Sequence, residues 1–217
     1  MTGTRAARAA ETESALKEAA KRVFARTGYL RAKITDITSE ADRAAGSFYS
    51  HFDGKESLLE SLLADMLDQG DERAAGPDHS PDFSDPAAVR WHVDAYWQFV
   101  RANRPVIIAL HQAAMVDEHF ARRLREILAP NLHDVAEHLE HVRAAGGELP
   151  GDPLVVASAL ISLISQFAYN WLVEGGEELG RELSDQEAVD TLTGLIVRGI
   201  SGGGSGPGGT PTSVADG

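Results

Sequence analysis

The chain has 217 residues, 43% of them hydrophobic, and a formal net charge of −13. Such a length accommodates one or two domains with a substantial core. It contains no cysteine, which excludes disulfides, thiol redox sensing and Cys-based zinc sites. No run of about 18 apolar residues and no signal-peptide pattern is evident, so a cytoplasmic protein with no membrane role is expected.

The charge is unevenly spread. Residues 1–56 hold 10 Lys and Arg against 8 Asp and Glu, whereas residues 57–217 hold 10 against 25. An acidic remainder turned away from an anionic partner would orient the basic end toward it.

In chain order, residues 1–10 read as a flexible arm bearing Arg5 and Arg8. A first helix is expected from about Thr12 to Thr27, because Leu16, Ala20, Val23, Phe24 and Thr27 form one stripe. Gly28 stands where a helix ends. Two short helices follow, about Ile34–Ala41 and Ala44–His51, with Ile34, Ile37, Ala41, Phe48 and Phe52 inward. Three short helices in some 40 residues, the last presenting small and polar side chains, form a helix-turn-helix able to enter the DNA major groove. Tyr49, His51 and Lys55 could bond phosphates on either side.

A fourth helix runs from Lys55 to about Ala75, and Gly76–Asp82 is a loop by composition. Further helices are expected at about 86–102, 105–115, 118–144, 152–175 and 185–199, with Pro130 kinking or dividing the third of these. Nothing alternates with a period of two for long, so the fold class is all-α. The Gly/Ser/Pro/Thr-rich stretch 201–217 is expected to be disordered. The expected organisation is therefore an arm (1–10), a three-helix DNA-binding domain (11–54), a second helical domain (55–200) and a tail (201–217).

The helix at 152–175 is apolar around almost its whole circumference, so it needs burial on every side. With Val189, Leu192, Leu195, Ile196 and Ile200 of the last helix, it is expected to form a homodimer through a symmetric four-helix interface.

Residues 11–62 resemble the tetracycline-repressor (TetR) family of bacterial regulators. That pattern is a first helix ending Phe-x-x-x-Gly-Tyr, then Ile-x-x-x-Ala-Gly-Val-Ser-x-Gly-x-Phe/Leu-Tyr-x-His/Tyr-Phe-x-x-Lys-Glu-x-Leu. Here Phe24, Gly28, Tyr29, Ile37, Ala41, Gly46, Phe48, Tyr49, His51, Phe52, Lys55, Glu56 and Leu58 match it. The chain departs where the family's turn glycine is Asp42, the apolar residue after it is Arg43, and the capping Thr and Ser are Lys33 and Ala44. Asp tolerates a left-handed backbone. Arg43 should point outward, toward DNA. Each lost cap costs about 0.5–2 kcal/mol.

The resemblance implies a DNA-binding regulator, a repressor in the family's usual mode, on a near-palindromic double-stranded operator. By it, Tyr49, His51 and Lys55 contact phosphates, joined by Lys33 or Thr35, while Ala45, Gly46, Ser47 and Ser50 face base edges. It also implies a ligand receptor in the second domain. Candidate liners there are Trp91, Tyr96, Trp97, His111, Met115, Gln166, Phe167, Tyr169 and Asn170, whose apolar character fits a hydrophobic small molecule. A regulator without a ligand, constitutive or controlled by a partner, is the alternative.

His133, His138 and His141 lie on one helix. A metal site there is geometrically feasible, but among so many charges a solvated face is expected. No nucleophile–base pair, phosphate loop or convincing metal set is present, so neither an enzyme nor a cofactor is expected.

Overall fold

The computed structural model describes residues 2–175 and 180–201. The expectation for the tail therefore lies almost wholly outside the described residues. Among these, the chain is helical without strands: α1 (Thr2–Thr27), α2 (Ile34–Glu40), α3 (Ala45–Tyr49), α4 (Lys55–Ala74), α5 (Pro86–Ala102), α6 (Arg104–Val116), α7 (Glu118–Ala144), α8 (Pro153–Ala168, continuing as a π-helical turn over Tyr169–Val173) and α9 (Asp185–Ser201).

Local chemistry sets the ends. Asp85, Asp117 and Asp152 cap α5, α7 and α8 by accepting from the backbone N–H groups of Ala87 (2.8 Å), Phe120 (3.0 Å) and Leu154 (3.0 Å). Pro86 and Pro153 occupy first-turn positions, where the missing N–H is harmless. Gly28 ends α1 at φ 72°, a conformation that disfavours side chains.

Two expectations are corrected. Residues 2–10 are helical, extending α1 backward instead of forming an arm. Pro130 lies inside a continuous α7 and does not divide it.

Apolar packing does not divide at residue 54. One core joins Leu16, Val23, Phe24, Ile37, Phe48 and Leu58–Met66 to Val106, Leu110 and Ala113 of α6 and to Phe120 of α7. A second core unites Phe83, Val93, Trp97, Leu139, Val142, Val156, Leu192 and Ile196. In it α9 packs along α5, and α8 along α7. Arg90–Asp190 and Arg101–Asp185 ion pairs tie α5 to α9. α6 thus belongs to the core of the DNA-reading helices, although it is distant from them in sequence.

The α8 helix is not enclosed within the protomer. Val155 is 65% exposed, and Leu154, Leu163 and, on α9, Leu195 (48%) also face outward. The stretch Pro153–Val173 is long and apolar enough to cross a membrane by length and composition, although Ser158, Ser162, Ser165, Gln166 and Asn170 interrupt it. Ser158, Ser162, Gln166 and Asn170 line its outer face, and polar residues in that position fit a protein interface better than lipid.

Candidate nucleic-acid interface

The α2–turn–α3 unit is built from the backbone upward. Asp42 occupies the left-handed region at φ 52°. Its N–H donates to the Ser39 carbonyl (3.2 Å) and that of Arg43 to the Thr38 carbonyl (2.9 Å). These paired bonds are the Schellman arrangement, with Asp in the glycine position. Thr38 is buried, its hydroxyl donating to the Thr35 carbonyl at 3.2 Å. The missing cap at position 33 is replaced in part: the Asp36 carboxylate accepts from the Lys33 backbone N–H at 3.1 Å. Ala44 gives α3 no side-chain cap. Phe48 and Phe52 fix α3 from beneath, their rings 5.6 Å apart.

This arrangement turns one face outward. Lys33, Thr35, Ala45, Gly46, Tyr49 and Ser50 are exposed, Tyr49 by 61%. A Cβ placed on Gly46 would meet no heavy atom within 4 Å, so nothing in the protomer requires glycine there. The Ser50 hydroxyl donates to the Gly46 carbonyl at 3.2 Å, and Ser47 is half-buried.

Three candidates are engaged within the protein. Arg43 does not project freely outward: its guanidinium pairs with Glu11 of α1 (3.3 Å) and donates to the Asp42 carbonyl (3.1 Å). His51 is half-buried, with Nδ1 3.8 Å from a Glu13 carboxylate oxygen. Lys55 turns inward. Its ammonium donates to the carbonyls of Tyr29 and Ala32, both at 3.0 Å, and lies 4.4 Å from the Tyr29 ring centre. A cation bound to two carbonyls at the α1–α2 connection is a clamp.

The same connection is held from two other sides, by residues that periodicity could not select. The Tyr29 hydroxyl donates to Glu56 at 2.7 Å, and burial together with that carboxylate raises its pKa. The Tyr29 backbone N–H donates to the Gln112 side chain of α6 at 2.8 Å. Lys17 of α1 bridges Glu13 and, on α4, Asp65.

A folded tri-helical unit of this kind, with its outer face polar and its inner face docked on α4 and α6, can be compared with known proteins. Residues 16–62 match the family described as "Bacterial regulatory proteins, tetR family". The match spans 47 of the 217 residues, and over these DNA-reading helices the chain is similar to that family. It is a DNA-binding transcriptional regulator, not an enzyme. It is 28% identical over 190 residues to the "Probable HTH-type transcriptional regulator ArpR" of Pseudomonas putida, covering 85% of this chain and 86% of that one. With the HTH-type transcriptional regulator TtgR, also of Pseudomonas putida, it shares 36% over 78 residues, 36% of this chain and 37% of the relative. The regulator also shares its fold with FadR from Bacillus subtilis, solved in complex with stearoyl-CoA. The TM-score is 0.69 at 16% identity, over 86% of this chain and 98% of that one.

Among the described residues, the second-domain candidates differ widely in burial and surroundings. Trp97 is fully buried in the second core, its indole N–H donating to Asp185 at 2.9 Å. Met115 is 84% exposed. His111 is exposed and lies against Tyr169, ring centres 4.7 Å apart. Gln166 and Asn170 are outward and bonded to each other at 2.6 Å. Tyr96 and Phe167 are half-buried beside the second core. Trp91 is half-buried between His79 and Arg73. A shallow cleft of about 290 Å³ lies elsewhere, lined by His133, Ala136, Glu137, Glu140, Asp152, Pro153 and Leu154.

The histidine expectation is also corrected. His133 and His141 are exposed, but His138 is half-buried against His79 and His92. Sequence spacing could not pair them, because the three come from a loop, α5 and α7.

Proposed function

We propose that the protein is a homodimeric cytoplasmic repressor that leaves a near-palindromic operator when a hydrophobic small molecule binds its second domain. The observation that carries the reading is the outer face of α2 and α3. It combines small side chains on α3 with exposed Lys33, Thr35 and Tyr49 around them. Ala45, Gly46 and Ser50 leave room for base edges, while Lys33 and Tyr49 reach phosphates. Arg43, His51 and Lys55, engaged within the protein, support that face from behind, and Ser47 is half-buried beside it. Thin direct readout leaves much of the specificity to DNA shape. In a dimer, two such faces would lie about 34–36 Å apart, one DNA turn.

Two observations support the dimer: the outward apolar residues Leu154, Val155 and Leu163 on α8, and Leu195 on α9. A protomer that leaves them uncovered carries an exposed apolar face, the mark of an interaction surface. The ligand reading draws on the FadR neighbour's stearoyl-CoA and on the half-buried aromatics Tyr96, Phe167 and Tyr169. Any shift of α6 would reach the DNA-reading unit directly through the Gln112–Tyr29 bond. We assign the DNA-reading role to residues 11–54 and the ligand and dimer roles to residues 55–200.

A regulator without a small-molecule ligand is the second reading. It is favoured by the cleft beside α8, which is lined by acidic side chains and none of the aromatic candidates.

Selection of DNA by the purified protein at two salt concentrations tests the first reading. A palindromic motif with half-sites one turn apart is expected, and indiscriminate salt-sensitive binding would overturn it. Thermal shift with long-chain acyl-CoA separates the two: stabilisation supports the ligand, and no saturable shift supports the second reading.

A further inference from the structure

We propose that His79, His92 and His138 form a three-histidine binding site for a divalent transition-metal ion of the zinc class. Each of the three offers one ring nitrogen within 4.8 Å of the others. They come from separate segments: His79 from the loop after α4, His92 from α5 and His138 from α7. Ring centres are 5.0 Å (His79–His92), 5.5 Å (His79–His138) and 4.9 Å (His92–His138) apart.

Two of the three rings are held in the tautomer a metal needs. His92 Nδ1 lies 2.9 Å from the Ala88 carbonyl, and His138 Nδ1 bonds the Asp134 carbonyl. An Nδ1–H donated to a carbonyl leaves Nε2 with a free lone pair, the usual outer-shell arrangement of a metal-bound imidazole. His138 Nε2 and His79 Nε2 are 3.3 Å apart. Two imidazole nitrogens at about 2.0–2.1 Å from a tetrahedral zinc are separated by about 3.3–3.4 Å. The third nitrogen, within 4.8 Å of the others, must close by up to about 1.5 Å, within reach of ring rotation and of a loop-borne His79.

Three imidazoles without a thiolate suit Zn²⁺, Co²⁺, Ni²⁺ or Cu²⁺ rather than Mg²⁺ or Ca²⁺. Water would take the fourth position. The ion would fasten the loop that follows α4 to α5 and α7. Arg73, in the last turn of α4, already pairs with Asp94 (3.3 Å) and stacks on Trp91 (5.5 Å) beside the cluster. The site therefore lies at the end of α4 farthest in sequence from the DNA-reading helices.

The test is calorimetric titration of the full, tag-free, chelator-dialysed chain with Zn²⁺, repeated with Co²⁺ by visible absorption. One ion per protomer is expected, with the absorption of a four-coordinate cobalt. His79→Gln and His138→Gln should each weaken Zn²⁺ binding at least tenfold, while His133→Gln on the same α7 leaves it unchanged. Metal-free melting temperatures of the variants establish that they fold, and the loop substitution His79→Gln decides the matter if His138→Gln does not. Absence of saturable binding by the intact chain, retention of binding in His79→Gln, or equal loss in His133→Gln would overturn the site. In those cases the cluster is a hydrogen-bonded aromatic packing unit.

Discussion

Replacing Lys55 with Met separates a clamp from a phosphate contact. The substitution keeps the aliphatic stem over the Tyr29 ring and removes the charge. It deletes two donors, leaving the carbonyls of Tyr29 and Ala32 without their 3.0 Å partner. Hydrogen bonds to charged groups contribute about 1.5–3 kcal/mol each, and a cation–π contact about 0.5–1 kcal/mol at partly exposed sites. Lys55 is half-buried, and water can reach part of the vacated space. The lower end applies, and a loss of about 3 kcal/mol follows from a total stability of roughly 5–15 kcal/mol. For a chain of this size that lowers Tm by about 6–12 °C. Thermal unfolding measures this, together with operator affinity over a salt series. A phosphate contact would instead reduce the slope of log K against log salt by about one unit with little change in Tm. Lys33→Ala is the comparison: Lys33 is exposed and has no ion pair among the described residues, so it should lower the slope while leaving Tm unchanged. If Lys55→Met melts within about 2 °C of the parent, the clamp is wrong.

Gly46→Ala should raise stability by about 0.4–1 kcal/mol, since the added Cβ meets open space in a helix, yet weaken operator binding by tenfold or more. Unchanged affinity in a DNA-binding titration would show that α3 does not approach the bases there. Asp42→Gly should raise Tm, because the residue is held at φ 52°, where a side chain costs about 1–2 kcal/mol, partly offset by the greater freedom of unfolded glycine. A lower Tm would mean the Asp42 side chain contributes more than its backbone strain removes. Leu163→Asp and Leu195→Asp place charges on the outward faces of α8 and α9, and light scattering should find monomers. An intact dimer in both would put the interface elsewhere.

Much of this regulator is legible along the chain. The 3.6-residue stripes of α1 and α4, the prolines and aspartates that begin α5 and α8, and Gly28 at the end of α1 are local signals. Each acts through neighbours a few residues away, so periodicity and capping chemistry suffice to find them. The motif from Phe24 to Leu58 carried the family for the same reason. Local reading failed where a side chain had two places to go. Lys55 and Arg43 are cations on a DNA-binding segment, and sequence offers no means of knowing that the carbonyls of Tyr29 and Ala32, or the carboxylate of Glu11, lie within reach. Trp97 reads like a pocket aromatic but is a core residue bonded to Asp185, 88 positions later.

Sequence alone therefore determined the helices, the turn at Asp42 and the small-residue face of α3, because short-range sterics and hydrogen bonding decide them. Only the tertiary structure decided which charges remain free for DNA and which are engaged internally. It also joined α6 to the DNA-reading core, left one face of α8 uncovered, and gathered His79, His92 and His138. Those outcomes depend on which distant segments meet, and the energy of a charge or an imidazole is set by the groups it meets rather than by its position in the chain.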